Sequence, residues 1–261
     1  ERGKIMGGYA AAVSAGLALG PIVGGLLALY SWRYAFMLTA ILSAVVIPIC
    51  AVYFKSATQP EKAFGTLPKI LVSTLRQSNV SLSCAIGLLV FLVAGSTVTF
   101  LSDYLGKPPF LVNAAEIGFL LFIGGVASIA VAPVVGFMIG TVGRRKTAVI
   151  GGVLTLSAFI VFMIIGKTYW EFFAPLVILF VGQILVFTAL GTVVIDSSSH
   201  SRGTASSIYN TFRFTGYGLG PALLSPIYIA LGFTATLGSF TLLAVVALLL
   251  TMRIRTTNAT V

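Results

Sequence analysis

Charged side chains are scarce in this sequence of 261 residues, making up 8% of it. An ordinary water-soluble domain carries roughly 25% charged residues, so the composition excludes that class of protein. Hydrophobic residues make up 58%, and they come in long continuous runs. A membrane barrel would instead alternate apolar and polar residues over segments of about ten residues. We therefore predict an all-α integral membrane protein.

Residues suited to catalysis and metal binding are also few. There is one histidine, His200, in a polar loop, and the two cysteines, Cys50 and Cys84, lie inside apolar runs. These residues cannot build a metal-ligand cluster, and we interpret both cysteines as buried thiols. The sequence contains no phosphate-binding glycine-lysine loop and no recognisable set of nucleophile, base and orienting residue. We predict that the chain is not an enzyme and uses no cofactor.

Acidic residues are the rarest charged class, with six in the whole chain. We interpret Asp103, Glu116 and Asp196 as solvated carboxylates near the membrane surfaces, and no Asp or Glu falls near the centre of a predicted span. A proton-coupled carrier needs a protonatable group that is reachable from both sides of the membrane. If the protein is proton-coupled, we expect this group in helices that the sequence does not contain.

Eight apolar runs are each long enough to cross a hydrocarbon core of ~30 Å at ~1.5 Å per residue. The longest polar stretch, residues 55–78, contains Leu67, Ile70, Leu71 and Leu75 at helical spacing, which predicts a surface amphipathic helix within a cytoplasmic linker. The eight predicted helices cover approximately residues 3–29, 34–54, 80–105, 114–140, 147–165, 170–195, 204–230 and 233–254.

Basic residues are distributed unevenly between the two sides of these spans. Twelve of the sixteen fall on one side, three (Arg33, Lys107 and Lys167) fall on the other, and Arg213 lies inside a span. Because basic residues are enriched in cytoplasmic loops, we predict that the first side and both ends of the chain are cytoplasmic, in the cell membrane. The net charge of +10 then faces anionic lipid headgroups rather than nucleic acid.

The first predicted helix carries a glycine pattern from Gly7 to Gly25. Within it, Gly16, Gly20 and Gly24 recur every four residues and form a groove that lets another helix approach closely. Pro21 removes a backbone donor and is expected to kink the helix beside this groove.

Part of this helix recurs 200 residues later. Seven residues match, namely Arg2, Gly3, Tyr9, Gly16, Leu19, Gly20 and Pro21 with Arg202, Gly203, Tyr209, Gly216, Leu219, Gly220 and Pro221. The first helix therefore repeats as the seventh, so the repeat unit is six helices and two full units need twelve. We expect the missing four helices to precede Glu1. The predicted parts are then the last two helices of an N-terminal bundle (1–54), the linker (55–78) and a six-helix C-terminal bundle with a short tail (79–261).

These motifs resemble the major facilitator superfamily. Gly7, Gly16, Gly20, Pro21, Gly24 and Gly25 are similar to its antiporter motif on the fifth helix, and Trp32–Phe36 resemble the sequence that follows it in the drug:proton antiporter branches. The stretch from Gly136 to Lys146, with Gly143, Arg144 and Arg145, resembles the loop motif between helices eight and nine, although Gly140 stands where the family has Asp. Asn210–Gly216 resembles the eleventh helix of the same branches.

The resemblance implies a secondary transporter, most similar to a drug or small-molecule:proton antiporter that works by alternating access. Its energy source would be a proton gradient, its partners would be the lipid bilayer, a small-molecule substrate and protons, and the full-length protein would be monomeric. The glycine-rich helix would form part of the hinge between bundles. Two alternatives remain open: an uptake symporter or facilitator for a sugar or organic acid, and a non-transporting receptor or assembly subunit.

Arg213 is the most informative single residue. It lies about ten residues, hence ~15 Å, from the cytoplasmic end of its helix. An arginine at this depth is costly unless it faces a cavity or a partner. Asn210 and Tyr217 share its helix face, and Gln183 lies at a similar depth on another helix.

We predict that these four residues line the substrate cavity, where Arg213 either contacts substrate or forms a charge gate. The alternatives are an arginine satisfied by backbone carbonyls and a glutamine that bonds a neighbouring helix. Phe91, Phe180 and Phe187 are further cavity candidates, but membrane aromatic residues more often pack against helices or lipid.

The predicted sidedness can be tested by cysteine labelling in a Cys50→Ser, Cys84→Ala background. We expect Lys107→Cys to react with a membrane-impermeant maleimide in intact cells. Arg145→Cys should react only after the membrane is disrupted, because its loop is predicted to be cytoplasmic. The reverse labelling pattern would contradict the predicted orientation.

Overall fold

The computed structural model describes residues 16, 18–53, 71–166, 168–198 and 202–254, and within these ranges helix is the only regular secondary structure. Six helices are long and apolar enough to cross a membrane, in agreement with the predicted all-α membrane fold. A 3-10 turn, Tyr169–Phe172, leads into the sixth of the seven helices that we label. They are α1 (Ala18–Ala28), α2 (Trp32–Tyr53), α3 (Ser78–Gly106), α4 (Ala114–Thr141), α5 (Arg144–Ile164), α6 (Phe173–Ser197) and α7 (Arg202–Met252).

Helix α7 is two spans joined at Gly232, whose φ of 80° and ψ of −177° are not helical. Glycine tolerates this positive φ because it has no Cβ. The first arm (residues 202–231) and the second arm (residues 233–252) correspond to the last two predicted helices. The predicted linker falls largely on residues 54–70, outside the described residues, and residues 71–75 form a short helical segment.

The connection between α4 and α5 is shorter than the interval between the predicted helices at 114–140 and 147–165. Gly143, with a φ of 92°, precedes α5 directly, and Arg144, Arg145 and Lys146 form the first turn of α5. The N–H group of Gly143 donates to the Met138 carbonyl at 3.2 Å, which closes α4. One glycine with positive φ is enough to reverse the chain, so the basic residues become helical. We call this end of the bundle the basic end and the opposite one the far end.

Glycines set the closest helix crossings in the bundle. Gly216 and Gly220 of α7 lie so near the backbone carbonyls of α3 that an added Cβ would clash. Between α5 and α6, a Cβ on Gly151 would stand 2.6 Å from the Gly182 carbonyl oxygen, and a Cβ on Gly182 would stand 2.7 Å from that of Gly151. In lipid, helices associate through this kind of close backbone contact, because the hydrophobic effect contributes little free energy to their association there.

The core of the bundle lies between α3, α5, α6 and both arms of α7. Towards the far end it is aromatic, with Phe100 stacked on Tyr228 and Tyr104 stacked on Phe233, each at 4.5 Å between ring centroids. Towards the basic end it is mainly aliphatic. Helix α2 has no buried residue within the described part of the chain, so most of its surface is exposed there.

Local partners hold the acidic residues of the far end. Asp103 accepts from the Tyr228 hydroxyl at 2.6 Å and from Lys107 Nζ at 2.5 Å. Glu116 and Asn113 form a reciprocal capping box at the start of α4. The Tyr169 hydroxyl donates to the Glu116 carbonyl at 2.8 Å. Both carboxylates therefore serve the ends of helices and stay at the surface.

The α3–α7 crossing can be tested with two glycines of the same helix. A Cβ at Gly220 would meet the Leu92 carbonyl and stand 2.7 Å from Ser96 Oγ, whereas a Cβ at Gly218 meets no described atom within 4 Å. We expect Gly220→Ala to destabilise the protein by about 1–3 kcal/mol through overpacking. Gly218→Ala should leave stability unchanged or raise it, because alanine favours helix.

Thermal melting of both purified variants measures the difference. Equal melting temperatures would show that α3 and α7 do not cross at this closeness.

Candidate functional site

Arg213 lies in the middle of the first arm of α7, surrounded by aromatic rings. It follows Arg202 by 11 residues, which places it ~16 Å along the helix, near mid-membrane depth. Its guanidinium carbon stands 4.1 Å from the ring centroid of Phe187, 4.4 Å from that of Phe91 and 4.9 Å from that of Phe214. These residues come from α6, α3 and α7, so three helices form an aromatic cage around one cation.

The cage compensates only part of the cost of removing this charge from water. Cation–π contacts contribute ~2 kcal/mol or more when they are desolvated, whereas burying an unpaired ion costs several kcal/mol of free energy. Nη1 donates to Asn210 Oδ1 at 2.8 Å, whereas the buried Nε has no acceptor among the described residues. The two ion pairs found in the described chain involve other cations, Lys107 and Arg144. Arg213 thus keeps its positive charge without a described carboxylate beside it.

Tyr209 lies one helical turn before Arg213 and was not among the predicted site residues. It is 2% exposed, and its hydroxyl has no hydrogen-bond partner among the described residues. Its ring lies against α3, where a Cβ on Gly87 would stand 2.7 Å from a ring carbon. The i−4 spacing from Arg213 was the signal that could have found it, since such residues share a helix face.

The structure joins two of the four predicted cavity residues directly. Arg213 and Asn210 are partly buried and bonded to each other, and Tyr217, one turn further along α7, is 44% exposed. Gln183 is partly buried on α6, one turn from Phe187. Arg213, Asn210 and Tyr217 lie along a part of α7 that no described helix covers, which we call the open face; its Phe214 is 64% exposed.

Of the three predicted cavity phenylalanines, Phe91 and Phe187 belong to the cage, with ring centroids 6.3 Å apart. Phe180 packs instead against α4, where a Cβ on Gly124 would stand 3.1 Å from its ring. Phe180 therefore packs between helices, which is the role that the sequence favours for an aromatic residue in a span.

A cavity lies in the interior of the bundle, between α3, α5, α6 and the second arm of α7, but it is too small for a drug-sized molecule. That cavity has a volume of about 10 Å³ and is lined mainly by aliphatic residues such as Val90 and Leu248. Ligand sites typically measure about 300–1,000 Å³. Arg213 does not line this cavity and lies instead beside the open face, where its side chain is partly buried.

At the basic end, Arg144 forms an ion pair with Asp196, which we had interpreted as a solvated carboxylate. Both side chains are more than a third exposed, so the pair is a surface tie between α5 and α6 of modest strength. Ser198 donates to the side-chain oxygen of Gln77 at 2.8 Å and joins α6 to the segment before α3. The acidic partner of Arg144 thus comes from α6, while Gly136 and Gly140 meet no described atom within 4 Å of an added Cβ.

The glycine-rich helix α1 meets α4 at a different point from the predicted groove. A Cβ on Gly25 would clash with the Ala114 carbonyl, and a Cβ on Gly118 would stand 2.5 Å from the Pro21 carbonyl oxygen. Gly16, Gly20 and Gly24 meet no described atom within 4 Å. Gly7 lies outside the described residues. The described close approach of α1 therefore uses Gly25 and Pro21, and the groove stays a prediction.

Comparison with known proteins identifies relatives for nearly the whole chain. The family model described as Major Facilitator Superfamily matches residues 1–221 and, in a second match, residues 80–260. The chain is 27% identical over 222 residues to the protein named "Multidrug efflux protein YfmO" of Bacillus subtilis (strain 168), covering 82% of this chain and 52% of that protein.

Two further relatives have similar coverage. The protein named "Tetracycline resistance protein, class B" of Escherichia coli is 27% identical over 240 residues, covering 87% of this chain and 58% of that protein. The protein named "Multidrug resistance protein MdtG" of Dickeya zeae (strain Ech586) is 26% identical over 244 residues, covering 89% of this chain and 58% of that protein. The chain spans about half the length of the curated relatives that it matches.

Adjacent glycines on α1 give a matched test of its contact with α4. Gly25→Ala forces a Cβ against the backbone of Ala114, so we expect a loss of about 1–3 kcal/mol in the free energy of unfolding. Gly24→Ala adds a Cβ that meets no described atom and should behave as wild type. Unfolding by SDS, followed by circular dichroism, measures both. An equal loss in Gly24→Ala would indicate that another helix fills the predicted groove.

Proposed function

The chain belongs to the major facilitator superfamily, and we propose that it works as part of a secondary transporter that exports small molecules in exchange for protons. Membership supports membrane transport, because proteins of this fold bind substrate at mid-membrane between two bundles. The names of the relatives, which refer to multidrug efflux, multidrug resistance and tetracycline resistance, support drug export.

Arg213 is the observation that carries the proposal. A permanently charged residue at mid-membrane depth is expensive, and its retention there favours a functional role at a polar pathway. It lies at the edge of the open face, where a second bundle would complete a cavity around it. Asn210, Tyr217 and Gln183 are the proposed further lining residues, each with a polar group at comparable depth.

Alternating access would move the two bundles against each other around this site. The contact of α1 with α4 joins the first two helices to the remainder of the chain. Because Gly25 and Gly118 bring backbone against backbone there, the contact has no long side chains to interlock, which suits a sliding or rocking interface. We propose that Pro21 and Gly25 act at this hinge.

The exchanged proton is proposed to be carried outside the described spans. Asp103, Glu116, Glu171 and Asp196 all lie at or near helix ends, so none of them is placed to face both sides of the membrane. A proton gradient would supply the energy, without a cofactor. We further propose a monomer in the cell membrane with both chain ends cytoplasmic, as the basic residues of the basic end favour.

Everted membrane vesicles that contain the protein test this function. With an acidic lumen, we expect a fluorescent drug from a panel of cationic, neutral and anionic compounds to accumulate inside, because each proton that leaves drives substrate inward. Nigericin, which exchanges protons for potassium, should collapse the accumulation, and vesicles without the protein should show none.

Each other outcome favours an alternative. Substrate that moves in the same direction as protons would indicate an uptake symporter, and flux that is indifferent to the gradient would indicate a facilitator. A protein that binds no compound and supports no flux would be better explained as a receptor or assembly subunit.

A further inference from the structure

The hydrogen bonding of Arg213 is one-sided, because its guanidinium group can only donate. Arg213 Nε and the Tyr209 hydroxyl are both buried, and neither has an acceptor among the described residues. Asn210 accepts from Arg213 Nη1 through its side-chain oxygen, and its amide nitrogen is a further donor on the same side chain. Buried donors without acceptors are rare in proteins and call for a partner. Because Nε can only donate, the missing partner of Arg213 must be an acceptor.

The charge around the site is equally one-sided. The described carboxylates lie at helix ends: Asp103 is paired with Lys107, and Asp196 with Arg144. Glu116 and Glu171 lie at the far end, beside Asn113 and Thr168 respectively. A bound cation would face Arg213 with no described carboxylate to neutralise either charge. In this weakly polar setting like charges repel strongly, so the site disfavours cations.

The cage also restricts how a ligand can approach. Phe187 and Phe91 stand 4.1 Å and 4.4 Å from the guanidinium carbon, and Phe214 adds a third ring at 4.9 Å. With rings over the guanidinium, a ligand must engage the N–H groups along its edge. Carboxylates and phosphonates accept from that edge in bidentate fashion. The exposed ring of Phe214 offers an apolar surface beside it.

From these three observations we infer that Arg213 holds an anionic group of the transported molecule, a carboxylate or phosphonate attached to an apolar body. This inference rests on the proposed function, and it narrows the substrate class from drugs in general to anionic or zwitterionic amphiphiles. Tyr209 and the Asn210 amide are the additional donors for that group. Phe91, Phe187 and Phe214 keep the guanidinium in place and contact the apolar part.

Three probes with one aromatic body and different charge test this inference. Pyrenebutyrate is an anion, pyrenebutanol is neutral and pyrenebutyl-trimethylammonium is a cation. We expect the protein, in nanodiscs without any ion gradient, to bind the anion at least about tenfold more tightly than the other two, as measured by fluorescence anisotropy. Equal binding of the three probes, tighter binding of the cation, or no binding of the anion would overturn the inference.

Variants then assign the preference to Arg213. Arg213→Gln should lower affinity for the anion about tenfold or more while leaving the neutral probe unchanged. The affinity of Arg213→Lys for the anion should lie between those of the wild type and Arg213→Gln, because lysine keeps the positive charge but lacks the planar guanidinium group. Arg33→Gln, in the exposed first turn of α2, is the matched control and should bind as wild type. An unchanged ratio of anion to neutral affinity in both Arg213 variants would contradict the assignment.

This binding assay separates the inference from the proposed function. Anion binding that depends on Arg213, together with absence of flux in vesicles, would retain the anion site and reject the transporter. Gradient-driven flux of the cationic probe, without anion preference, would retain the transporter and reject the anion site.

Discussion

The contact of glycines on α7 with the backbone of α3 is the constraint on which the site depends. Gly216 and Gly220 let the two helices approach until carbonyls fill the space that side chains would need. This closeness places Phe91 of α3 over the guanidinium of Arg213. A wider separation would move the ring away and leave the cation in hydrocarbon with fewer favourable contacts. Small residues that appear purely structural therefore make a mid-membrane charge tolerable.

The sequence alone was sufficient for the helices and for Arg213 with Asn210, because both depend on local spacing. From the second predicted helix onwards, apolar runs gave span boundaries that agree with the structure to within about three residues. The i−3 spacing placed Asn210 on the helix face of Arg213, where the two side chains are hydrogen-bonded. The rings of Phe91 and Phe187 come from two other helices. Their positions depend on the tertiary register of α3 and α6, which residue spacing within one helix does not contain.

Glycine spacing within one helix likewise does not predict which other helix it contacts. It correctly marked α1 as a helix suited to close contact, but it did not identify Gly25, rather than the groove of Gly16, Gly20 and Gly24, as the point that meets α4. A missing Cβ permits approach from any helix, so the pattern cannot specify the partner. Asp196 is a comparable case: its pairing with Arg144 joins residues 52 positions apart, and only the packing of α5 on α6 brings them together.

The reversal of α7 at Gly232 has a mechanical consequence. A single residue joins the arm that carries Arg213 to the arm that packs into the core through Phe233 and Phe240. Because no loop separates the two arms, the connection is too short to absorb a large displacement of one arm relative to the other. The arm that carries Arg213 is thus connected to the interior of the bundle through one residue, Gly232. The arm that carries Arg213 also packs closely against α3 through Gly216 and Gly220, so a displacement of this arm would require α3 to move with it.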